Sequence, residues 1–571
     1  MFDRKLQLVT YLDELNNTFN QTIKCAPELF SSIIEKFNKE LVSTKNNVRN
    51  GELLIPIIGG FSAGKSTILN KIIGKDVLPV AVTAETAIPA EIRYSEDEYL
   101  ITIDINNKQE CHSLSMLSSL SQNAGHYQVV KVFVNSPEIK KIEPFTFVDM
   151  PGFNSHFAHH NDAILRYLNR GSFYFYFINC QDGTLNHSDL RRLNEIHDMD
   201  RKFILFTTKT DLMPKTNISK VIQTISDELE DEFSNAIKVF DINHHEYSEL
   251  TNLLSKLDPD ELFNKQFINE IKELYYTAFD SINSSMIALE KTREEKEQQI
   301  NELRGALKAL EKEKDKQLNQ INISKIKNEK KKILQRLKNE LHQSVESFII
   351  SAKSGEDALG RSISDLVRTV LIREFKTYTS QLSDDIAYQL SKSLDFSFNS
   401  IQFEQTDWVD NLLESLKQQV MNLLIGSNDE KNKKEGGGIL YDLFTAGAMF
   451  IPHPAVKVIL AILPRVVGDL FDLINESRQK DRYHTVINNE VIPSVLNNVE
   501  PKIDSAIDNI QQAITNLISN EFATKLNEQK EIFESANESF NQDAKKNINL
   551  IEDFILAKNT LVASAKKHSI I

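Results

Sequence analysis

The chain has 571 residues, which at one domain per roughly 150 residues predicts three or four structural units rather than a single core. Gly and Pro number only 18 and 14, while 41% of residues are apolar and 26% charged; this balance excludes collagen, most all-β architectures and wholesale disorder, and favours long helices. A formal charge of −15 argues against nucleic acid as a partner, because phosphate contacts need a net basic face.

Cys25, Cys111 and Cys180 are odd in number and far apart, so neither a disulfide frame nor a zinc site is expected, and a reducing compartment fits. The first 25 residues carry charges among their apolar positions and lack the apolar run of a leader. No stretch reaches the roughly 20 uninterrupted apolar residues of a membrane-crossing helix. The expectation is a cytoplasmic, peripherally membrane-associated protein, with export lacking a recognisable signal as the other route.

In chain order, residues 1–50 place Phe2, Leu6, Val9, Leu12, Leu15 and Phe19 at three- and four-residue spacing, the stripe of an amphipathic helix that needs a partner elsewhere. Residues 51–258 change to short β-rich runs, among them LLIPIIG, YLITIDI, YQVVKVFV, FTFVDM, FYFYFIN, KFILFTT and IKVFDI. Several are apolar on consecutive residues, as strands covered on both faces must be, and the intervals hold crossover helices. This predicts an α/β domain with a mixed, mostly parallel sheet. From residue 259 to 435 the breakers are scarce, with no proline between Pro259 and Pro452, which predicts a long all-α stalk. Ile300, Leu303, Leu307 and Leu310, then Leu334, Leu337 and Leu341, suit either a helical bundle or a projecting antiparallel coiled coil. Residues 436–475 form an apolar tip, and 476–571 read as returning helices that pack with the N-terminal helix.

The segment IIGGFSAGKST runs from an apolar strand into a helix-like stretch. Gly59, Gly60, Phe61, Ser62, Ala63, Gly64, Lys65, Ser66 and Thr67 form a loop whose backbone amides can wrap phosphate, with a helix dipole behind them. Lys65 is expected to reach the β- and γ-phosphates, and Ser66 to ligate Mg²⁺. In FTFVDMPG, Asp149 ends a strand and can hold the metal's hydration shell, while the Gly152 amide can sense a γ-phosphate; an Asp capping the next helix is the simpler alternative. In FILFTTKTD, Thr208, Lys209 and Asp211 follow a strand. An Asp carboxylate accepts two hydrogen bonds from guanine that adenine does not offer, so the nucleotide is expected to be GTP, with the Lys209 stem over the base. Between the first two motifs, LPVAVTAETAIP is the natural switch segment, with Thr86 preferred over Thr83 as the residue closing on Mg²⁺ and positioning the attacking water.

GGFSAGKST, LPVAVTAETAIP, DMPG and TKTD, followed by a long helical region with an apolar tip, resemble the bacterial dynamin-like proteins of the dynamin superfamily. The motif-level resemblance covers Gly59 to Asp211, and domain order extends it along the chain. It implies a large GTPase with low nucleotide affinity, a neck made by 1–50 with a neck and trunk made by 259–435 and 476–571, a membrane-binding paddle at 436–475, homo-association through GTPase domains, and a second dynamin-like protein as a possible partner. By position, Ser62 matches the P-loop serine that organises the charge-compensating part of the site. Phe61 stands where eukaryotic dynamins have glutamine, and no glutamine follows DMPG, so catalysis is expected to rest on Lys65, Ser62, Thr86 and backbone groups.

The tip is split by Pro452, Pro454 and Pro464 into apolar halves too short to cross a bilayer. A hairpin dipping into one leaflet would insert Phe444, Met449, Phe450, Ile451, Ile459, Leu460 and Ile462, with Lys457 at the headgroups; a buried helical hairpin completing the stalk is the alternative. Function then divides between a GTPase coupling hydrolysis to self-association and membrane remodelling (vesiculation, fission, fusion or tethering) and a GTP-gated membrane scaffold with negligible turnover.

Overall fold

The computed structural model describes residues 2–60, 62–80, 88–120, 126–152, 170–198, 201–233, 237–243, 247–319, 323–398, 463, 480–539 and 544–571. The expected N-terminal helix is two helices, α1 (Phe2–Cys25) and α2 (Ile34–Asn50), separated by a 3-10 turn at Pro27–Phe30. Pro27 lacks the N–H needed to continue α1, which accounts for the break.

The sheet comprises β1 (Leu53–Gly59), β2 (Ala90–Tyr94), β3 (Tyr99–Asp104), β4 (Gln109–His112), β5 (Tyr127–Val134), β6 (Phe145–Asp149), β7 (Tyr174–Asn179), β8 (Phe203–Thr208) and β9 (Val239–Asp241). Their order is β4-β3-β5-β2-β6-β1-β7-β8-β9. The half from β6 to β9 is wholly parallel, whereas β2 meets β6 antiparallel and β3 meets both β4 and β5 antiparallel. All seven residues of β1 are buried. Its alternation sends Leu53, Ile55 and Ile57 to one face of the sheet and Leu54 and Ile58 to the other. The polar edge strand β4 and the short β2 carry too little apolar signal to be read from sequence.

Six helices accompany the sheet among the described residues: α3 (Lys65–Ile73), α4 (Leu117–Leu120), α5 (Pro137–Lys141), α6 (His187–Asp198), α7 (Lys215–Phe233) and α8 (Ser248–Leu254). Leu193 and Ile196 of α6 and Val221, Ile225 and Leu229 of α7 cover the face that carries Leu54 and Ile58. The opposite face belongs to a core that continues into the helical region.

That region holds α9 (Pro259–Glu290), α10 (Arg293–Asn319), α11 (Ile323–Gln343), α12 (Val345–Lys353), α13 (Glu356–Phe398), α14 (Lys480–Val486), α15 (Ile492–Ser539) and α16 (Ala544–Lys567). Asp258 caps α9 by accepting from the amides of Asp260 and Glu261 at 2.9 and 3.2 Å, with Pro259 at the first helical position. Lys291 is extended, and Thr292 and Glu295 then exchange side-chain and backbone bonds of 2.7 and 3.3 Å, a capping box that starts α10. The chain reverses there. Lys525 on Thr277 and Lys291 over Phe533 set α9 parallel to α15, while Lys296 on the Ala536 carbonyl and Lys330 on Asp504 set α10 and α11 antiparallel to it. Ile300, Leu303, Leu310, Leu337 and Leu341 are buried in this multi-helix core, where α10 and α11 pack on both α13 and α15.

The two chain ends meet as expected. Glu14 of α1 accepts from Ser564 at 2.6 Å and from Lys567 at 2.8 Å, and Arg4 donates to the His568 carbonyl at 2.7 Å. The proposed inserting residues of 436–475 lie outside the described residues; within that segment Leu463 is described, and it is fully buried. Among the described residues no helix is long and apolar enough to cross a membrane.

Candidate functional site: the phosphate loop and its neighbours

The parallel half of the sheet brings three separate motifs to one edge. In register, Asp149 at the end of β6 lies level with Ile57, two residues short of Gly59. Gly59 is level with Phe177 of β7, which is level with Phe206 of β8, so Thr208 extends two residues past the phosphate loop. Such an edge, at the carboxyl ends of parallel strands, is where doubly wound sheets bind ligands.

The loop turns because two of its residues adopt left-handed backbone: Ser62 at φ 62° and Gly64 at φ 79°. Gly59 is required for another reason, since a Cβ there would lie 2.3 Å from the Phe177 carbonyl oxygen. By contrast, Gly60 and Gly64 face open space, leaving a cradle into which a ligand can approach the backbone. The first turn of α3 follows directly, so the amides of Lys65, Ser66 and Thr67 stand at the helix N-terminus, the end whose dipole favours an anion.

Lys65 is 7% exposed, and its Nζ donates to the carbonyls of Gly59 and Gly60 at 3.0 and 3.1 Å. Burial pushes its pKa down to about 8, against the opposing pull of the Asp149 carboxylate. Asp149 is fully buried and its Oδ2 accepts from the Ser66 hydroxyl at 2.7 Å. A hydroxyl and a carboxylate converging beside a phosphate loop are the hard oxygen donors that suit Mg²⁺, so the residues present fit that ion. Gly152 is also buried, three residues after Asp149.

At the third motif, Thr208 donates to the Ile178 carbonyl at 3.0 Å and Lys209 takes left-handed backbone at φ 56°. Asp211 follows in the 3-10 turn Thr210–Leu212. Two residues not anticipated from sequence hold this turn. Cys180 donates through Sγ to the Lys209 carbonyl at 3.1 Å, and Asn243, just past β9, donates to the Thr210 hydroxyl at 3.1 Å. Asn70 of α3 is likewise unanticipated: it is buried, accepts from the amides of Val77 and Leu78 at 3.1 and 2.8 Å, and donates to the Leu78 carbonyl at 2.8 Å. It pins the chain leading toward the expected switch. Phe61, Thr83 and Thr86 lie outside the described residues.

The fold and the loop define a P-loop nucleotide-binding domain carrying a long helical extension. Residues 55–211 match the family model described as Dynamin family. The match covers this domain, about a quarter of the chain, and makes the domain similar to that of the dynamin family.

Dynamin-like protein 2 of Campylobacter jejuni is 31% identical over 164 residues, which is 27% of this chain and 25% of that protein. The chain thus matches about a quarter of the length of this curated relative. Two solved structures were also compared. One is an oligomerised bacterial dynamin pair, described as providing a mechanism for long-range sensing and tethering of membranes; it is 14% identical, with 91% of each chain covered and a TM-score of 0.30. The other is the LeoA bacterial dynamin GTPase from ETEC, 14% identical, with 92% of this chain and 99% of that one covered and a TM-score of 0.30.

Proposed function

We propose that this protein is a GTPase whose nucleotide cycle drives self-association and the remodelling of a lipid membrane by vesiculation, fission, fusion or tethering. The observation that carries the reading is the meeting of Lys65, Ser66 and Asp149 below an open glycine loop, on the same sheet edge as the TKTD turn. In the reaction, water attacks the γ-phosphorus, a new P–O bond forms, and the bond to the β–γ bridging oxygen breaks to give GDP and inorganic phosphate.

Lys65 leaves the carbonyls of Gly59 and Gly60 for the β- and γ-phosphates, and loop amides neutralise the remaining oxygens. Ser66 and Asp149, with Thr86 from the switch segment, would hold Mg²⁺, which supplies charge neutralisation on the phosphates. Ser62 shapes the loop beside the transferred group, the Gly152 amide senses the γ-phosphate, and Asp211 reads guanine with Lys209 over the base.

Within this reading 51–258 is the GTPase domain, 1–50, 259–435 and 476–571 make the neck and trunk, and 436–475 is the lipid-contacting tip. Homo-association runs through GTPase domains, and a second dynamin-like protein is a candidate partner. Lys65→Ala is expected to abolish GTP binding in calorimetry, and Asp211→Asn to shift preference away from guanine. Retention of full GTP affinity by both variants would overturn the nucleotide assignment. Phe450→Glu with Ile451→Glu is expected to prevent liposome co-sedimentation while leaving the GTPase domain folded; global unfolding instead would favour the buried hairpin.

A GTP-gated scaffold with negligible turnover is the second reading, favoured by Phe61 and Phe153 standing where catalytic glutamines are found. Single-turnover hydrolysis with and without liposomes separates the two.

A further inference from the structure

The helical trunk carries a basic surface that the nucleotide cycle does not use. Within residues 325–338, KIKNEKKKILQRLK, seven cations accompany one carboxylate, in a chain whose formal charge is −15. Within this stretch Ile333 and Leu337 of α11 are buried and Leu334 is half-buried. Lys331, Lys332, Arg336 and Lys338 are exposed on the other side, as on an amphipathic helix built for an anionic surface.

Ion pairing within the fold divides them. Lys330 binds Glu500 at 3.0 Å and Asp504 at 2.7 Å, Lys332 binds Glu329 at 2.6 Å, and Arg336 holds Glu374 through bonds of 2.8 and 2.7 Å. Lys331 and Lys338 are exposed and have no ion-pair partner among the described residues. They stand seven residues apart, two helical turns or about 10 Å along one face. Between them runs a groove of about 730 Å³ formed with α15, floored by the half-buried Leu334 and Leu496 and bordered by Asn497 and Glu500. Glu500, the one carboxylate on its wall, already meets Lys330.

We infer that this face of the trunk docks on the headgroups of an anionic bilayer, with Lys331 and Lys338 meeting lipid phosphates and the Leu334–Leu496 floor receiving the apolar glycerol and upper acyl region. The two-part chemistry selects a lipid. A free phosphate would have no use for the apolar floor, and a long polyanion such as nucleic acid would run off a patch of this size onto an acidic chain. The lysine stems lie along the groove while their ammonium groups reach the phosphates. The inference rests on the reading that this chain works at a membrane, and adds a contact separate from the 436–475 tip.

The test uses the full chain and co-sedimentation with two kinds of vesicle, pure phosphatidylcholine and an equal mixture with phosphatidylglycerol. At about fivefold in partition per lysine near the surface, Lys331→Gln with Lys338→Gln is expected to weaken binding to the anionic vesicles roughly thirtyfold at low salt. The effect is expected to fade at high salt, with binding to neutral vesicles and to GTP unchanged. Lys331→Arg with Lys338→Arg keeps the charge and is expected to restore binding.

Unchanged partition of the glutamine variant would overturn the inference, as would a loss that arginine does not restore, or a wild-type chain that shows no preference for anionic vesicles. Tighter binding to duplex DNA than to anionic vesicles, lost in the glutamine variant, would also overturn it. Because the tip reading is tested by the Phe450 and Ile451 variant on neutral vesicles, failure of the trunk contact and failure of the membrane reading give different results.

Discussion

The Ser66 hydroxyl donates a 2.7 Å hydrogen bond to Oδ2 of Asp149, joining the first turn of α3 to the end of β6. Asp149→Asn removes a buried charge and an oxygen donor while keeping the size of the side chain. It is expected to cost about tenfold or more in GTP affinity measured with Mg²⁺, and much less when the ion is chelated, as read by calorimetry in both conditions.

Lys65 gives the site a pH dependence whose sign follows from its environment. Burial lowers the free lysine to about 8, and a bound polyphosphate favours the charged form, so binding raises the value and takes up a proton. Affinity for GTP is therefore full below the free value and declines above it, by about tenfold between pH 7 and pH 9. Proton uptake measured by calorimetry in buffers of different ionisation enthalpy checks the same linkage; a flat profile would show that Lys65 is already charged throughout.

Gly59 and Gly64 should fail differently. A Cβ at Gly59 meets the Phe177 carbonyl at 2.3 Å and must push β1 from β7, so Gly59→Ala is expected to cost about 2–3 kcal/mol in denaturant unfolding. At Gly64 the added carbon meets nothing within 4 Å, and the cost is the left-handed backbone alone, about 1–2 kcal/mol.

The turn after β8 depends on Asn243, whose amide reaches the Thr210 hydroxyl at 3.1 Å. Asn243→Ala is expected to weaken guanine-nucleotide binding about fivefold by loosening the turn that carries Asp211, with phosphate-loop behaviour retained. The measurement is GTP affinity against that of inorganic triphosphate, of which only the first should fall.

The clasp between the chain ends should titrate in acid. Hydrogen bonds from Lys567 and Ser564 hold the Glu14 carboxyl down at about 2. A depressed carboxylate stabilises the fold above its unfolded value, and this contribution disappears as pH falls through about 4.5 toward 2. Glu14 is partly exposed, so Glu14→Gln is expected to cost about 1 kcal/mol at neutral pH and nothing in strong acid, by thermal unfolding at the two conditions.

The phosphate loop was legible because its chemistry is local: consecutive residues from Gly59 to Thr67 make the turn, the cradle and the helix start. The buried runs of β1, β6, β7 and β8 were legible because strands covered on both faces must be apolar throughout. Helical character after Pro259 followed from the scarcity of breakers, and even the TREE box opening α10 obeys a four-residue rule. Cys180, Asn243 and Asn70 were not legible. Each makes its bond to a residue whose proximity depends on strand order or on a returning loop, and an isolated Cys or Asn has no pattern of its own.

The sequence by itself determined that an α/β phosphate-binding domain is followed by long helices, because backbone freedom, apolar periodicity and loop chemistry are properties of neighbouring residues. Tertiary structure alone decided that Asp149 meets Ser66, that α9 and α10 run in opposite senses along α15, and that Lys331 and Lys338 remain exposed while Lys330 and Arg336 are neutralised. Those outcomes depend on which distant surfaces bury one another, and identical local patterns are compatible with several such pairings.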